Sequence, residues 1–135
     1  VKLLSDYHIF LISNHLIIQS YFNMKITRVK DAEARKNPHG VDARKLYDSE
    51  HAMATHITLH PGEQLKRHIT PVDVFFYVLE GIGTIEIGDE TRQVEADTLV
   101  DSPAQIPHCW YNKSDDILRV LVVKVPKPTE GTKIL

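Results

Sequence analysis

The sequence of 135 residues has one cysteine, one tryptophan and no excess of basic residues. With Cys109 alone, the chain forms no intrachain disulfide, which agrees with a reducing, cytoplasmic location. The net charge of −2 argues against the basic footprint that nucleic-acid binding requires. No apolar run approaches the roughly 20 residues of a membrane-spanning helix. We therefore expect a protein that binds neither nucleic acid nor a membrane.

The composition is that of one globular domain, with 42% hydrophobic and 25% charged residues. Residues 1–23 differ from the rest because they are rich in Ile, Leu, Phe and Tyr and lack Gly and Pro. This extension is either an element that packs on the domain or on a partner, or a stretch upstream of a natural start at Met24. We assign the domain itself to residues 24–135.

Short segments of strand-forming residues, separated by turn signals, predict an all-β sandwich or barrel. Glu80-Gly81 predicts a hairpin between two of these strands, and the tail after Pro126 and Pro128 is expected to be loose. A further short strand is expected at residues 24–30, followed by a loop to Gly40. The main predicted strands are residues 41–47, 52–60, 72–79, 83–87, 91–95, 98–101 and 117–125.

Two separate pieces of the sequence each carry one histidine in a similar setting. The first piece, residues 60–83, places His68 between a Pro-Gly turn and an apolar strand. The second piece, residues 102–112, contains His108. The pieces resemble the paired motifs of the cupin family. The matching residues are Gly62, His68 and Gly81 in the first motif and Pro103, His108 and Asn112 in the second.

The resemblance implies a double-stranded β-helix, the jelly-roll barrel of the cupins, with His68 and His108 together inside its mouth. It also implies a divalent transition metal, which is zinc, nickel, copper, iron or manganese. Imidazole ligands suit zinc, copper, iron and nickel, whereas carboxylates favour manganese. The sequence departs from the motifs at four positions. Thr70 replaces the second histidine, Val74 replaces the glutamate, and Asp97 and Gln105 replace glycines.

Alternation along the strands predicts which side chains share the pocket with the two histidines. If His68 points inward, Asp73 points outward and Cys109 points away from the pocket. A third metal ligand is sought at His56 or His60, which share a face of the preceding strand, while His8, His15, His39 and His51 are interpreted as solvated. The residues expected to line the pocket are Thr70, Val74, Phe76, Gln105 and Trp110.

The apolar strand at residues 72–79 is apolar on both faces, since Phe75, Tyr77 and Leu79 alternate with the inward set. Such a strand is buried on both faces, which predicts a homodimer, or else cover by residues 24–30 or by the extension. For function, three alternatives stay open. They are a metal-dependent barrel that binds a small molecule, an enzyme of dioxygenase or isomerase type, and a metal-free binding or structural barrel.

Overall fold

The computed structural model describes residues 7–12, 15–20 and 23–135, and strands dominate its secondary structure. A single turn of 3-10 helix, Val29–Asp31, is the helical element in this part of the chain. The predicted all-β class is therefore confirmed. Across the same residues there is no helix with the length and apolarity needed to span a membrane.

The first two strands belong to neither of the barrel sheets. Strands β1 (Tyr7–Ile12) and β2 (His15–Ser20) form an antiparallel sheet of their own, and no described barrel strand joins it. The rest of the extension (residues 1–6, 13–14 and 21–22) lies outside the described residues, as do the side chains of His8 and His15. The division between residues 1–23 and 24–135 stays a prediction.

The remaining described strands form two antiparallel sheets of five strands each. The first, here called the histidine sheet, has the order β12 (Lys133–Ile134), β5 (His68–Ile69), β10 (His108–Tyr111), β7 (Ile82–Ile87) and β8 (Glu90–Glu95). The second, here called the β11 sheet, has the order β3 (Asp42–Asp48), β4 (Met53–Leu59), β11 (Leu118–Val125), β6 (Asp73–Glu80) and β9 (Leu99–Ser102). This is the predicted double-stranded β-helix.

The core lies between the sheets and follows the predicted alternation. On β6 the inward side chains of Val74, Phe76 and Val78 are buried, whereas Asp73 is exposed and accepts a hydrogen bond from the Ala104 amide at 2.8 Å. On β11 the inward set continues with Leu118, Val120 and Val122. Because Phe76 is only 1% exposed, truncation to alanine is expected to cost about 3–5 kcal/mol.

Three local predictions are wrong. Glu80-Gly81 does not make a hairpin: β6 and β7 belong to different sheets, and the chain crosses between them at Gly81, whose φ is 83°. Residues 24–28 form no strand, because the chain there leads into the 3-10 turn. The tail is not loose, because β12 pairs with β5 and the Leu135 amide donates to the Arg67 carbonyl at 3.0 Å.

Two positions where the cupin motifs have glycine keep the glycine-like backbone without the glycine. Asp97 and Gln105 adopt positive φ angles of 62° and 66°. Non-glycine residues rarely adopt this conformation, although a short polar side chain such as that of Asp tolerates it best. The second motif therefore retains its backbone path. Its asparagine, Asn112, is a buried anchor that donates to the Leu59 and Asp116 carbonyls at 2.8 and 2.7 Å.

The outer face of the β11 sheet carries a contiguous apolar patch. Phe75 lies opposite Val123, and Tyr77 lies between Leu121 and Leu99 in the strand register. Within the single described chain these side chains are half-buried or exposed, with Leu99 52% exposed. This patch is the surface on which the predicted homodimer depends, and the homodimer stays a prediction.

A chain that begins at Met24 is expected to fold as stably as the full chain, because β1 and β2 share no sheet with the barrel strands. The measurement is the free energy of unfolding of both chains in urea. A difference below about 2 kcal/mol is expected, which is small against a typical total of roughly 5–15 kcal/mol. A larger loss would show that the extension is part of the core.

Phe75→Glu is expected to convert a dimer into a monomer, because it places a charge within the apolar patch. The measurement is sedimentation velocity at micromolar concentration. Ile82→Glu is the matched control, since Ile82 is an exposed apolar residue (44%) on the other sheet. A wild-type monomer, or a Phe75→Glu variant with unchanged mass, would contradict the prediction.

Candidate functional site

The fold brings the two motif histidines together through direct strand pairing. His68 on β5 is the register partner of His108 on β10, although forty positions separate them in the sequence. Paired residues on neighbouring antiparallel strands point to the same face of the sheet. The two rings meet edge to face with centroids 4.3 Å apart, and their Nε2 atoms lie 2.9 Å apart. Both rings are buried, with His108 1% exposed.

Each ring is fixed from behind through its Nδ1 atom. His68 Nδ1 lies 2.7 Å from the Lys66 carbonyl oxygen, which only accepts, so Nδ1 carries the proton and Nε2 presents a lone pair. His108 Nδ1 lies 2.7 Å from Ser102 Oγ, a hydroxyl that donates or accepts. His108 can therefore adopt either tautomer. With the proton on Nε2 it donates to His68, and with the proton on Nδ1 its Nε2 lone pair can bind a metal ion or a ligand. Such rear hydrogen bonds orient the histidine ligands of metal sites.

Burial keeps this pair neutral. Burial lowers the pKa of His108 to about 3, with further contributions from the charges of His68, Lys124 and His39. Burial also lowers the pKa of His68, against the opposing effect of the Lys66 carbonyl. Both rings are therefore uncharged at neutral pH, which is the form that binds a metal.

A third histidine, His39, joins the site, and its interpretation as a solvated residue is wrong. The loop before β3 brings its ring to 4.7 Å from that of His68, centroid to centroid, and its Nδ1 accepts a hydrogen bond from the Lys66 amide at 3.0 Å. Burial is the main cause that lowers the pKa of His39 to about 4, and the charges of His68, Lys66 and Lys124 lower it further. The Asn-Pro-His-Gly sequence signals a loop, but it does not indicate where that loop packs.

The histidines line a cavity of about 220 Å³ at the mouth of the barrel. Thr70, Val74 and Phe76 line it as expected, and the β11 sheet adds further apolar wall at Ile57 and Val122. Thr70 Oγ1 is buried and finds no hydrogen-bond partner among the described residues. Leaving a buried hydroxyl unpaired costs about 1–3 kcal/mol, which a hydrogen bond from a bound ligand would offset.

Two residues expected in the pocket lie outside this cavity. Gln105 is exposed in the turn before β10 and has a left-handed backbone conformation. Its backbone N–H donates a hydrogen bond to the Thr70 carbonyl at 2.9 Å. Trp110 shares the inward face with His108 but lies deeper, in the core behind Phe76, with ring centroids 5.5 Å apart. Alternation predicts the face of a strand but not the depth at which a side chain lies. Cys109 points away, as expected, toward the Leu65 carbonyl.

Neither proposed third ligand reaches the cavity. The neighbouring Thr55 and Ile57 point into it, so His56 on the same strand points to the opposite face. There His56 Nε2 accepts a hydrogen bond from Arg119 Nε at 3.0 Å. Burial, and after it the positive charge of Arg119, lowers the pKa of His56. His60 is exposed beyond the end of β4. In the described part of the chain, no three His, Cys, Asp or Glu side chains form a metal-binding group.

The donor atoms nevertheless fit a metal held by two protein ligands. Two nitrogens that each lie roughly 2.0–2.1 Å from one ion are themselves about 3 Å apart, and the two Nε2 atoms are separated by 2.9 Å. An ion there would draw its other ligands from water or from a bound molecule. Bound in this way, it would polarise an oxygen of that molecule as a Lewis acid.

Comparison with known proteins agrees with the fold. The family model described as a cupin domain matches residues 55–124. The uncharacterized protein MJ0764 of Methanocaldococcus jannaschii is 32% identical over 85 residues, which cover 62% of this chain and 73% of the relative. This chain therefore belongs to the cupin family.

Solved structures extend the likeness over most of the barrel. TT1209 from Thermus thermophilus is 30% identical with a TM-score of 0.67, and the match covers 78% of this chain and all of that one (100%). The polyketide cyclase RemF from Streptomyces resistomycificus has a TM-score of 0.73 at 23% identity, covering 84% of this chain and 86% of its own. At that identity the second likeness shows the fold alone.

His108→Gln is expected to weaken the acid dependence of stability. The folded-state pKa of His108, about 3, lies below its ordinary value of 6.5, so its contribution is complete above pH 6.5 and is lost as the pH falls toward 3. Within that window the variant should lose up to about 1.4 kcal/mol per pH unit from the slope of the unfolding free energy. Urea unfolding at pH 7, 6 and 5 with a chelator measures it.

His51→Gln is the control for this slope, because the His51 side chain is 83% exposed and lies outside the cavity. Its slope should match that of the wild type. Equal slopes for the wild type and His108→Gln would contradict the claim that His108 is held neutral by burial.

Proposed function

We propose that this cupin is an intracellular barrel that binds a small molecule in the cavity, together with a divalent transition metal at His68 and His108. The observation that carries the proposal is the convergence of two buried Nε2 atoms, 2.9 Å apart, at the wall of the cavity. Their rear hydrogen bonds and lowered pKa values support it, because both rings are oriented and neutral before a metal arrives.

The chain's own residues set the limits of what such a site does. His68 and His108 hold the ion, Lys66 and Ser102 orient the two rings, and the apolar wall excludes water from one side. Val74 stands where the cupin motif has a glutamate, and no Asp or Glu lines the described cavity. Carboxylate-assisted proton transfer therefore has no candidate there, so this arrangement favours binding over the dioxygenase or isomerase alternative.

A metal-free binding barrel is the second candidate, and one observation favours it. In the described residues the two Nε2 atoms have no third protein ligand beside them. Without a metal, a proton between them satisfies both, since His108 then donates from Nε2 to the His68 lone pair. Metal analysis of the purified protein distinguishes the two, because only the first candidate requires a stoichiometric metal.

His68→Ala and His108→Ala are each expected to abolish metal binding, because one imidazole remains in either variant. The measurement is calorimetric titration at pH 7 with zinc, nickel, copper, ferrous iron and manganese in turn. His56→Ala, His60→Ala and Asp73→Ala are the controls and should leave affinity unchanged, since all three point away from the cavity. If the wild type binds none of the five ions, the metal-free barrel is correct.

A further inference from the structure

A lysine on the inner face of the barrel lines the same cavity but makes no hydrogen bond to the histidine pair. Lys124 is the last inward residue of β11 before the strand ends, and its register partner is Val74, which in turn faces Ser102 on β9. It lines the cavity, and its Nζ donates a hydrogen bond to Thr132 Oγ1 at 3.0 Å. An ammonium has three N–H donors, so two remain for another partner.

The positive charge of Lys124 has no counter-charge among the described residues that line the cavity. It forms no ion pair within the part of the chain that the structure describes, where the other cavity-lining groups that titrate are His39, His68 and His108. Burial lowers the pKa of Lys124, and its charge in turn contributes to the lowered pKa of all three histidines. The cavity thus contains a partly desolvated cation and no anion. Such groups are normally paired in proteins.

A second polar atom in the cavity awaits a partner. Thr70 is 1% exposed, and its Oγ1 has no hydrogen bond within the described chain. A hydroxyl complements an ammonium around an anion because it donates a further hydrogen bond. The rest of the wall is apolar, with Ile57, Val74, Phe76 and Val122. The lining therefore complements a ligand with one anionic end and a short apolar body.

The size and donor count of the cavity narrow the anion. Its volume of about 220 Å³ lies below the roughly 300–1,000 Å³ of ordinary ligand pockets, so the ligand is small. A phosphate presents three or more strong acceptor oxygens, and its sites generally combine arginine, or lysine as a point charge, with several backbone amides. The cavity has no arginine in its described lining. One ammonium and one hydroxyl suit the two oxygens of a carboxylate.

We propose that Lys124 and Thr70 bind the carboxylate of a small monocarboxylic acid, whose apolar body lies against Phe76 and Val122. The proposal deepens the proposed function, because it rests on the cavity being the ligand site, but it does not depend on the metal. It names the class of ligand and assigns its recognition to Lys124, which lies outside the two cupin motifs, and to Thr70 within the first motif.

The test is calorimetric titration of the full chain with acetate, butyrate and hexanoate after dialysis against a chelator, so that no metal binds the carboxylate. Butyramide and inorganic phosphate are titrated in parallel. At least one carboxylate should bind, and butyramide should bind at least about tenfold more weakly than butyrate, because a charge-assisted hydrogen bond is lost. This comparison requires no variant. Failure of all three acids to bind, or equal binding of butyramide, overturns the proposal, as does binding of phosphate alone.

Lys124→Met should lower carboxylate affinity at least about tenfold, since it keeps the length of the side chain and removes the charge. Lys133→Met is the matched control, because Lys133 is exposed on β12 and its substitution changes the net charge by the same amount. The carboxylate affinity of this control should stay within about twofold of the wild type. Unchanged affinity in Lys124→Met overturns the proposal.

Zinc titration of the same variants separates this proposal from the metal claim. Lys124→Met should bind zinc at least as tightly as the wild type, because removal of a nearby positive charge favours a cation. Loss of zinc binding in Lys124→Met would overturn the proposal that Lys124 binds the carboxylate independently of the metal ligands. Absence of zinc binding in the wild type, with carboxylate binding intact, would contradict only the metal claim.

Discussion

The pairing of β11 with both β4 and β6 is the constraint on which the rest of the barrel depends. Seven successive positions of β11 are in register with β4, and the opposite edge pairs with β6 across one irregularity. This register gives β11 one inward row, which begins with the buried Leu118, continues through Val120 and Val122, and ends at Lys124. One strand therefore supplies the apolar core and, at its end, the cation of the cavity. A slip of one residue would invert every member of that row.

The site departs from the cupin motifs in a physically consistent direction. Val74 replaces the acidic residue and Thr70 replaces the second histidine, so the cavity loses a negative charge and a strong metal ligand. What remains among the described residues is a pair of neutral imidazoles, an unpaired hydroxyl and a partly buried ammonium. Under the proposed function, the hydroxyl and the ammonium make their remaining hydrogen bonds with the bound molecule. The surrounding apolar wall raises the energetic importance of each contact, since buried charges and hydrogen bonds are screened less than those in water.

Much of the barrel could be predicted from the sequence because it depends on local patterns. Strand periodicity indicated the inward row of β6 and the outward direction of Asp73, and the two motifs indicated that His68 and His108 meet. The errors arose where a local pattern has more than one tertiary outcome. Glu80-Gly81 suits a hairpin and equally suits a crossing between sheets, and Trp110 shares a face with His108 yet lies in the core. The positions of His39 and Lys124 in the cavity lining were missed because nothing in their local sequence distinguishes them.

The sequence by itself determined the all-β class, the family and the residues at which the histidine pair forms, because alternation and turn chemistry act over a few residues and the motifs carry the rest. Only the tertiary structure decided what surrounds that pair. The loop containing His39 and the strand β12 reach the cavity through contacts with β5 and its flanking residues, between segments distant in sequence. His56 is excluded from the cavity for the same reason, since the pairing of β4 with β11 determines which face of β4 points inward. Whether Lys124 faces solvent or the cavity depends on that sheet register and on closure of the barrel, which no local pattern encodes.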